Sequence, residues 1–263
     1  VAARSPLINV MVNAAYKAAK GLVRDFGEVE QLQVSKKGPA DFVSQADLRS
    51  ERILRTELTK ARPDYGLLME ESGGTIGKDS SNRWMVDPLD GTLNFLHGIP
   101  HFCISIGVER DGEAYAGVIY NPINDELFWA EKGHGAYQNE RRLRVSARHK
   151  MEEAVIGTGA PFLGHGDHAL WLKRAKAVMG ATAGMRRMGA AALDLAYVAA
   201  GRVDGFFEQP LMPWDVCAGI VLVKEAGGYV TEIDGGTNML VTGSVLAAND
   251  QLHRPLGVML RNA

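Results

Sequence analysis

Trp84-Met85-Val86-Asp87-Pro88-Leu89-Asp90-Gly91-Thr92-Leu93-Asn94-Phe95 is the stretch on which the reading of this chain turns. Trp84 to Val86 form a short apolar strand that delivers Asp87 at its end. Pro88 has no N–H to give a ladder, so pairing is expected to stop there, and Gly91 permits a tight turn. Asp87 and Asp90 are thereby set on a rigid corner with the Thr92 hydroxyl beside them. Such a corner is either a solvated turn closed by Asx hydrogen bonds or one wall of an anionic catalytic site.

Working outward, other acids fall at similar places. Glu70 follows the apolar run Tyr65 to Met69. Asp215 lies in the first turn of a helix begun by Pro213-Trp214, a favoured opening for proline. Asp47 completes Ser44-x-x-Asp47, which resembles a capping box. It opens a helix carrying Ile53, Leu54, Leu58 and Ala61 on one side, with Pro63 just past its end. Each acid alone reads as a cap or a surface charge. If they converge, the cluster is costly unless some protonate or a cation neutralises them. No His-rich or Cys-rich spacing accompanies them, and hard oxygen donors alone favour Mg²⁺ over zinc or copper. Hydrolysis of a phosphate ester is the natural use of such a site. Divalent ions would reverse the local charge, activate a water and stabilise the leaving oxygen. Other phosphate chemistries fit worse. The chain has no Gly-x-x-x-x-Gly-Lys-Ser/Thr loop, no Cys-x5-Arg loop and no Arg-His-Gly. The spacing Asp-x-x-Asp-Gly-Thr also has one residue too many for an aspartyl-phosphate mechanism.

The remaining chain predicts a mixed fold. Ile8, Val12, Ala15, Ala19, Leu22 and Phe26 step by four and three along one face of a helix ending near Gly27. This favours a folded first helix over a signal peptide. Val34 to Ala40 reads as a loop, broken by Gly38-Pro39. Phe102 to Val108 and Ala114 to Tyr120 flank the turn Asp111-Gly112 as a hairpin, and Glu126 to Ala130 adds a strand. Strands at 154–158, 203–207, 229–232 and 245–248 then alternate with helices at 168–178, 190–200, 214–226 and 253–260. The fold class expected is α+β in the first part and α/β in the second. The subdomains expected are 1–147 and 148–263, packed tightly at a seam near 145–153.

Composition sets broad limits. The chain has 263 residues, 46% hydrophobic and 23% charged, with net charge −2. Those are globular values, and no basic field points to nucleic acid or an anionic membrane. No apolar run reaches the length of a membrane span. Cys103 and Cys217 form neither a disulfide framework nor a metal-ligand spacing. They read as packed thiols in a reducing cytoplasm.

At this point the residues resemble a known family. Glu70-Glu71-Ser72, the Trp84 to Phe95 block, and Pro213-Trp214-Asp215-Val216-Cys217-Ala218-Gly219 with Glu225-Ala226-Gly227-Gly228 are similar to the signatures of the inositol monophosphatases. The resemblance implies a five-layer α-β-α-β-α sandwich, usually a homodimer, that needs two to three Mg²⁺ per site and is inhibited by Li⁺. It implies that Glu70, Asp87 and the Leu89 carbonyl hold one metal and that Asp87, Asp90 and Asp215 hold another, with Glu70 helping a weaker third. Thr92, paired with Asp47, would orient or deprotonate the attacking water, and the Gly91 and Thr92 amides would hold phosphate. Asp90, Ala191 (through its N–H), Glu208 and Asp215 would face the rest of the ester. Lys36 would belong to a loop that closes over the site. Gly189-Ala190-Ala191 lacks the hydroxyl the family often carries in the middle position, which bears on inositol preference. Gly159 to Gly166 falls where substrate-facing variation is expected. The substrate implied first is myo-inositol monophosphate. Fructose 1,6-bisphosphate, 3′-phosphoadenosine 5′-phosphate and histidinol phosphate are handled by relatives of the fold. A regulatory, protein-binding role is the reading from another class.

Overall fold

The computed structural model describes residues 3–28, 34–38 and 41–263, the side chains of 34–38 and 41–43 excepted. Two sheets and three helical layers stack in the order α-β-α-β-α. The first layer is α1 (Pro6–Phe26) and α2 (Gln45–Ala61). Ser5 caps α1, its Oγ accepting from the Ile8 N–H, and Ser44 and Asp47 close a true capping box at the start of α2. Leu7, Ile8, Met11, Ala15, Ala18 and Leu22 of α1 are buried, so the face read from the sequence is the face that packs.

Beneath these helices lies the larger sheet. Its strands are β3 (Tyr65–Met69), β4 (Gly73–Thr75), β5 (Asp79–Asp90), β6 (Cys103–Arg110), β7 (Glu113–Asn121), β8 (Glu126–Glu131), β9 (Gly135–Gln138) and β10 (Arg141–Arg142), in the order β10-β9-β8-β7-β6-β5-β3-β4. Only β3 and β5 pair in parallel and the other pairs are antiparallel; β6 and β7 form the hairpin expected, with Asp111 at φ 51° and Gly112 at φ 82° in the predicted turn, and β8 follows as the next strand. The smaller sheet is built from β11 (Val155–Thr158), β12 (Gly184–Arg186), β13 (Gly205–Glu208), β14 (Tyr229–Thr231) and β15 (Val245–Ala248), in the order β12-β11-β13-β15-β14. The middle layer, α5 (Ala191–Ala199) and α6 (Pro213–Glu225), packs on both sheets, and α4 (His168–Met179) and α8 (Asp250–Asn262) cover the outer face of the smaller one. A single turn, α7 (Met239–Thr242), leads into β15.

Two expectations are corrected. Val34 to Gly38 is not a loop but strand β1, paired antiparallel with β2 (Asp41–Ser44); the rest of that predicted loop, Pro39 and Ala40, lies outside the described residues. Pro88 does not end the ladder. β5 runs on to Asp90, which pairs with Cys103 after Asp87 has paired with Ser105, so Pro88 and Leu89 together face one residue of β6. This is a bulge, the place in a sheet where a residue without an N–H is tolerated.

The approach of α6 to the larger sheet depends on small residues. Gly107 and Gly117 are cross-strand partners on β6 and β7. A Cβ on Gly107 would come within 2.6 Å of Cys217 Sγ, and one on Gly117 within 2.6 Å of the Ala218 Cα and carbonyl oxygen. Helix and sheet therefore meet almost backbone to backbone. Gly117→Val is expected to lower the unfolding free energy by about 1–3 kcal/mol, the usual cost of overpacking. Urea denaturation with an unchanged m-value would measure this; wild-type stability would mean that the contact is slack.

Candidate active site

The parallel pairing of β3 with β5 sets Met69 beside Val86. The Glu70 N–H donates to the Val86 carbonyl at 3.2 Å, so Glu70 and Asp87 emerge side by side from the carboxyl ends of two strands. Asp87 is almost fully buried, and its Oδ1 accepts from the Leu89 N–H at 2.9 Å. The Asx turn contemplated from the sequence is thus present, and the same side chain lines the cleft. Ser50 of α2 donates to the Pro88 carbonyl at 2.8 Å and fixes the bulge from behind.

Gly91 follows at φ 91°, where a Cβ would meet the His101 carbonyl oxygen and the Ala190 Cβ at 3.1 and 3.2 Å. The short helix α3 (Thr92–Leu96) then begins, an element the sequence reading did not anticipate. The Thr92 hydroxyl lies 2.9 Å from Asp47 Oδ1 and 3.1 Å from the Leu89 carbonyl oxygen, and it donates its proton to one or the other. Asp47 is fully buried behind Thr92, its second oxygen held by the Ser44 N–H at 3.0 Å and the Ser44 hydroxyl.

Opposite this corner, Pro213 starts α6. Asp215 Oδ2 accepts the Met212 N–H at 2.8 Å, and Ser105 of β6 donates to the Trp214 carbonyl at 3.2 Å. The amide of Ala192, in the first turn of α5, donates to Asp90 Oδ2 at 2.8 Å. Glu208 ends β13 and leans over Gly159, where any Cβ would collide with its carboxylate.

A pocket of about 250 Å³ brings together Glu70, Asp87, Leu89, Asp90, Gly91 and Thr92 from one half of the chain with Ala191, Glu208 and Asp215 from the other. Gly159, Ala160 and Phe162 line it as well, so the Gly159 to Gly166 segment faces the site as expected. Asp47 stands behind the wall and touches the pocket only through Thr92. Lys36 lies on β1, and the expectation for its side chain falls outside the described residues.

Some residues at the site were missed from sequence. Asn94, quoted with its block but given no role, donates through Nδ2 to the His101 and Met188 carbonyls at 2.7 and 2.8 Å. His101 Nε2 and Asp194 Oδ1 lie 2.9 Å apart. These contacts tie the loop after α3 to the start of α5. Arg187, exposed on the rim, is the cation among the pocket's described lining residues. His101 and Asp194 are 93 residues apart, and neither sits in a motif, so no sequence signal joined them.

The electrostatics follow from crowding. Burial first, then the charges of Glu70, Asp90 and Asp215, push the Asp87 carboxyl well above its ordinary range. Burial, then the charge of Asp90, does the same to Asp215. Burial raises Asp90 to about 7, against the Ala192 N–H and with help from Asp194 and Glu70. Glu208 is raised by burial, then by Asp194, Asp215 and Asp90. Burial also lifts Asp47, outweighing the hydrogen bonds from Ser44 and Thr92. Oxygen donors that repel one another in this way suit a hard divalent cation. Among the described residues, no three or more His, Cys, Asp or Glu side chains already stand in a metal-holding arrangement. The carboxylates share a pocket without being drawn onto one point.

The inositol monophosphatase family profile matches residues 3–261. The inositol-1-monophosphatase of Rhizobium meliloti (strain 1021) is 58% identical over 254 residues, covering 97% of this chain and 96% of that protein. Nus factor SuhB of Escherichia coli (strain K12) is 39% identical over 257 residues, covering 98% of this chain and 96% of that one. Among solved structures, the extragenic suppressor protein suhB of Bartonella henselae superposes with a TM-score of 0.95 at 56% identity, covering 98% of this chain and all of that one. Fold, carboxylate corner and likeness agree: the chain belongs to the inositol monophosphatase family, whose members are generally metal-dependent phosphatases.

Proposed function

We propose that this protein hydrolyses a small phosphate monoester, foremost myo-inositol monophosphate, with Mg²⁺ as its metal. The observation that carries the reading is the convergence of Glu70, Asp87, Asp90 and Asp215 on one pocket, with the Thr92–Asp47 pair at its edge. Glu70, Asp87, the Leu89 carbonyl, Asp90 and Asp215 would hold two to three Mg²⁺. When bound, these ions offset the charge of carboxylates and phosphate and make a water acidic enough to attack.

The chain's own residues supply the rest. With its O–H donated to Asp47 Oδ1, the Thr92 oxygen offers a lone pair to a water. It takes that water's proton as its own passes to Asp47. Burial makes Asp47 a better proton acceptor than a solvated carboxylate. The Gly91 and Thr92 amides face the phosphate, while Glu208 and the Ala191 N–H receive the hydroxyls of the leaving alcohol. The same reading carries Li⁺ inhibition, a homodimer and a cytoplasmic setting. Among the described residues, no helix is long and apolar enough to cross a membrane.

The test is phosphate release from myo-inositol 1-phosphate, titrated with Mg²⁺. It is run beside fructose 1,6-bisphosphate, 3′-phosphoadenosine 5′-phosphate and histidinol phosphate. The highest kcat/KM is expected for the inositol ester, because discrimination lives in that ratio. No Mg²⁺-dependent hydrolysis of any ester would end the proposal. A regulatory role beside catalysis is the second reading, prompted by the 39%-identical relatives named Nus factor SuhB. A pull-down with Asp90→Asn protein separates it from turnover.

Metal removal has a signature of its own. Asp90 titrates at about 7 folded against 3.8 for an ordinary aspartate. Between those values the folded state binds more protons than the unfolded, so stability falls as pH rises through the window. The chelated protein is therefore expected to melt at a lower temperature at pH 8 than at pH 5.5. Mg²⁺ should restore more at pH 8. Melting that is flat or rises with pH under chelation would contradict the crowding described above.

A further inference from the structure

Further cavities adjoin the carboxylate pocket at Glu208. A second cavity of about 470 Å³ shares Glu70, Glu208 and Asp215 with it and continues along Gly159 to Phe162. That cavity in turn shares Pro161, Trp171, Glu208 and Pro210 with a third, of about 420 Å³, which reaches Arg174, Thr242 and Ser244. Glu208 borders all three. The three cavities therefore adjoin one another around Glu208, from the carboxylate corner to a chamber between α4 and the segment that joins α7 to β15. Each of these volumes is on the scale of a small-ligand site.

The chamber's chemistry narrows what would fill it. Trp171 is held rigidly, its indole N–H donating to the Gly159 carbonyl at 2.6 Å, so a fixed aromatic ring forms part of the wall. Arg174 commits its Nε to the Leu260 carbonyl at 3.1 Å, which leaves its terminal amino groups as donors. Asp167 and Glu208 supply acceptors, and Ser244, Thr242 and Gln209 supply short polar groups. The charges are of both signs, so a second phosphate would meet repulsion as well as attraction. An apolar pocket would not carry so many hydrogen-bonding groups. A fixed indole in the wall, with the Arg174 donors and the Asp167 and Glu208 acceptors about it and hydroxyls that already donate to Asn238 and Gln209 but still accept, suits a neutral, hydroxyl-rich ring.

We propose that this chamber is a second sugar subsite, so that the protein also takes phosphate esters whose leaving alcohol carries an additional glycosyl ring. This rests on the phosphatase reading above. The phosphorylated ring would lie at Glu208 and Ala191, and the added ring beyond Glu208 against Trp171. The reaction is unchanged: water adds to phosphorus, the ester P–O bond breaks, and the glycosylated alcohol departs with a proton.

The experiment compares kcat/KM for maltose 1-phosphate and trehalose 6-phosphate with that for glucose 1-phosphate and glucose 6-phosphate, and with myo-inositol 1-phosphate as reference. At least one disaccharide ester is expected to exceed its monosaccharide counterpart by roughly tenfold. Thr242→Trp plugs the chamber from an exposed position, and Arg174→Met keeps the stem but removes the donors. Either should abolish that advantage while leaving inositol 1-phosphate hydrolysis near wild type; Thr242→Trp, which keeps the Arg174–Leu260 hydrogen bond, should also leave the melting temperature near wild type. Unphosphorylated maltose and trehalose, followed by quenching of tryptophan fluorescence, should bind the wild type and not Thr242→Trp; this arm holds whether or not any ester is turned over. Disaccharide esters no better than monosaccharide esters, or an advantage unmoved by both variants, would overturn the subsite. Loss of every hydrolysis with maltose or trehalose binding intact would overturn the phosphatase reading and spare the subsite.

Discussion

Asp90→Asn should cut turnover by at least about 10²–10³-fold, the scale of removing one preorganised electrostatic group from a transition state. The substitution is nearly isosteric, and the Ala192 N–H that meets Asp90 Oδ2 at 2.8 Å can still donate to an amide oxygen. Packing is therefore kept while a charge is lost. Because Asp90 is raised to about 7 by burial and by its neighbours, its ionised form is a burden to the metal-free fold. The variant is thus expected to melt above wild type when both are chelated at pH 8, and to gain less from added Mg²⁺. Lower activity together with higher metal-free stability is a combination that simple misfolding cannot give. Unchanged turnover would remove Asp90 from the metal set.

Thr92→Ala should lower kcat by about 10²–10⁴-fold, the range for a positioned proton acceptor. The Mg²⁺ concentration giving half-maximal rate should move far less. The hydroxyl is 2.9 Å from Asp47 and 3.1 Å from the Leu89 carbonyl oxygen, so its loss breaks the route to Asp47 while the carboxylates stay in place. Thr92→Ser should recover most of the rate, since the oxygen is restored without the methyl group. Equal losses in kcat and in metal response, with no recovery by serine, would make Thr92 a structural residue.

Local signals made much of the fold legible in the sequence. The apolar steps of α1, the capping box of α2 and the Asp111-Gly112 hairpin are such signals, and local geometry decides them. The carboxylates are legible as a set because each ends a strand or opens a helix, which are the places where a fold can aim side chains into a common pocket. What is not legible depends on contacts between distant segments. Val34 to Gly38 has no apolar alternation and is a strand only because β2 pairs with it. Pro88 reads as a stop because the bulge that accommodates it belongs to the register with β6. The Asn94 and His101 cross-ties require α5 to arrive from nearly a hundred residues away. The cavities beyond Glu208 are made by several loops and a helix, none of which announces a cavity.

The contact of α6 with Gly107 and Gly117 bears on more than packing. Asp87 rides on the sheet and Asp215 on the helix, and the two surfaces already touch main chain to main chain. The gap between the two acids therefore has a mechanical stop on one side only. One methyl group added at either glycine would wedge helix from sheet. Such a seam works as a gauge, so that side-chain bulk at these two glycines would push apart the elements that carry Asp87 and Asp215.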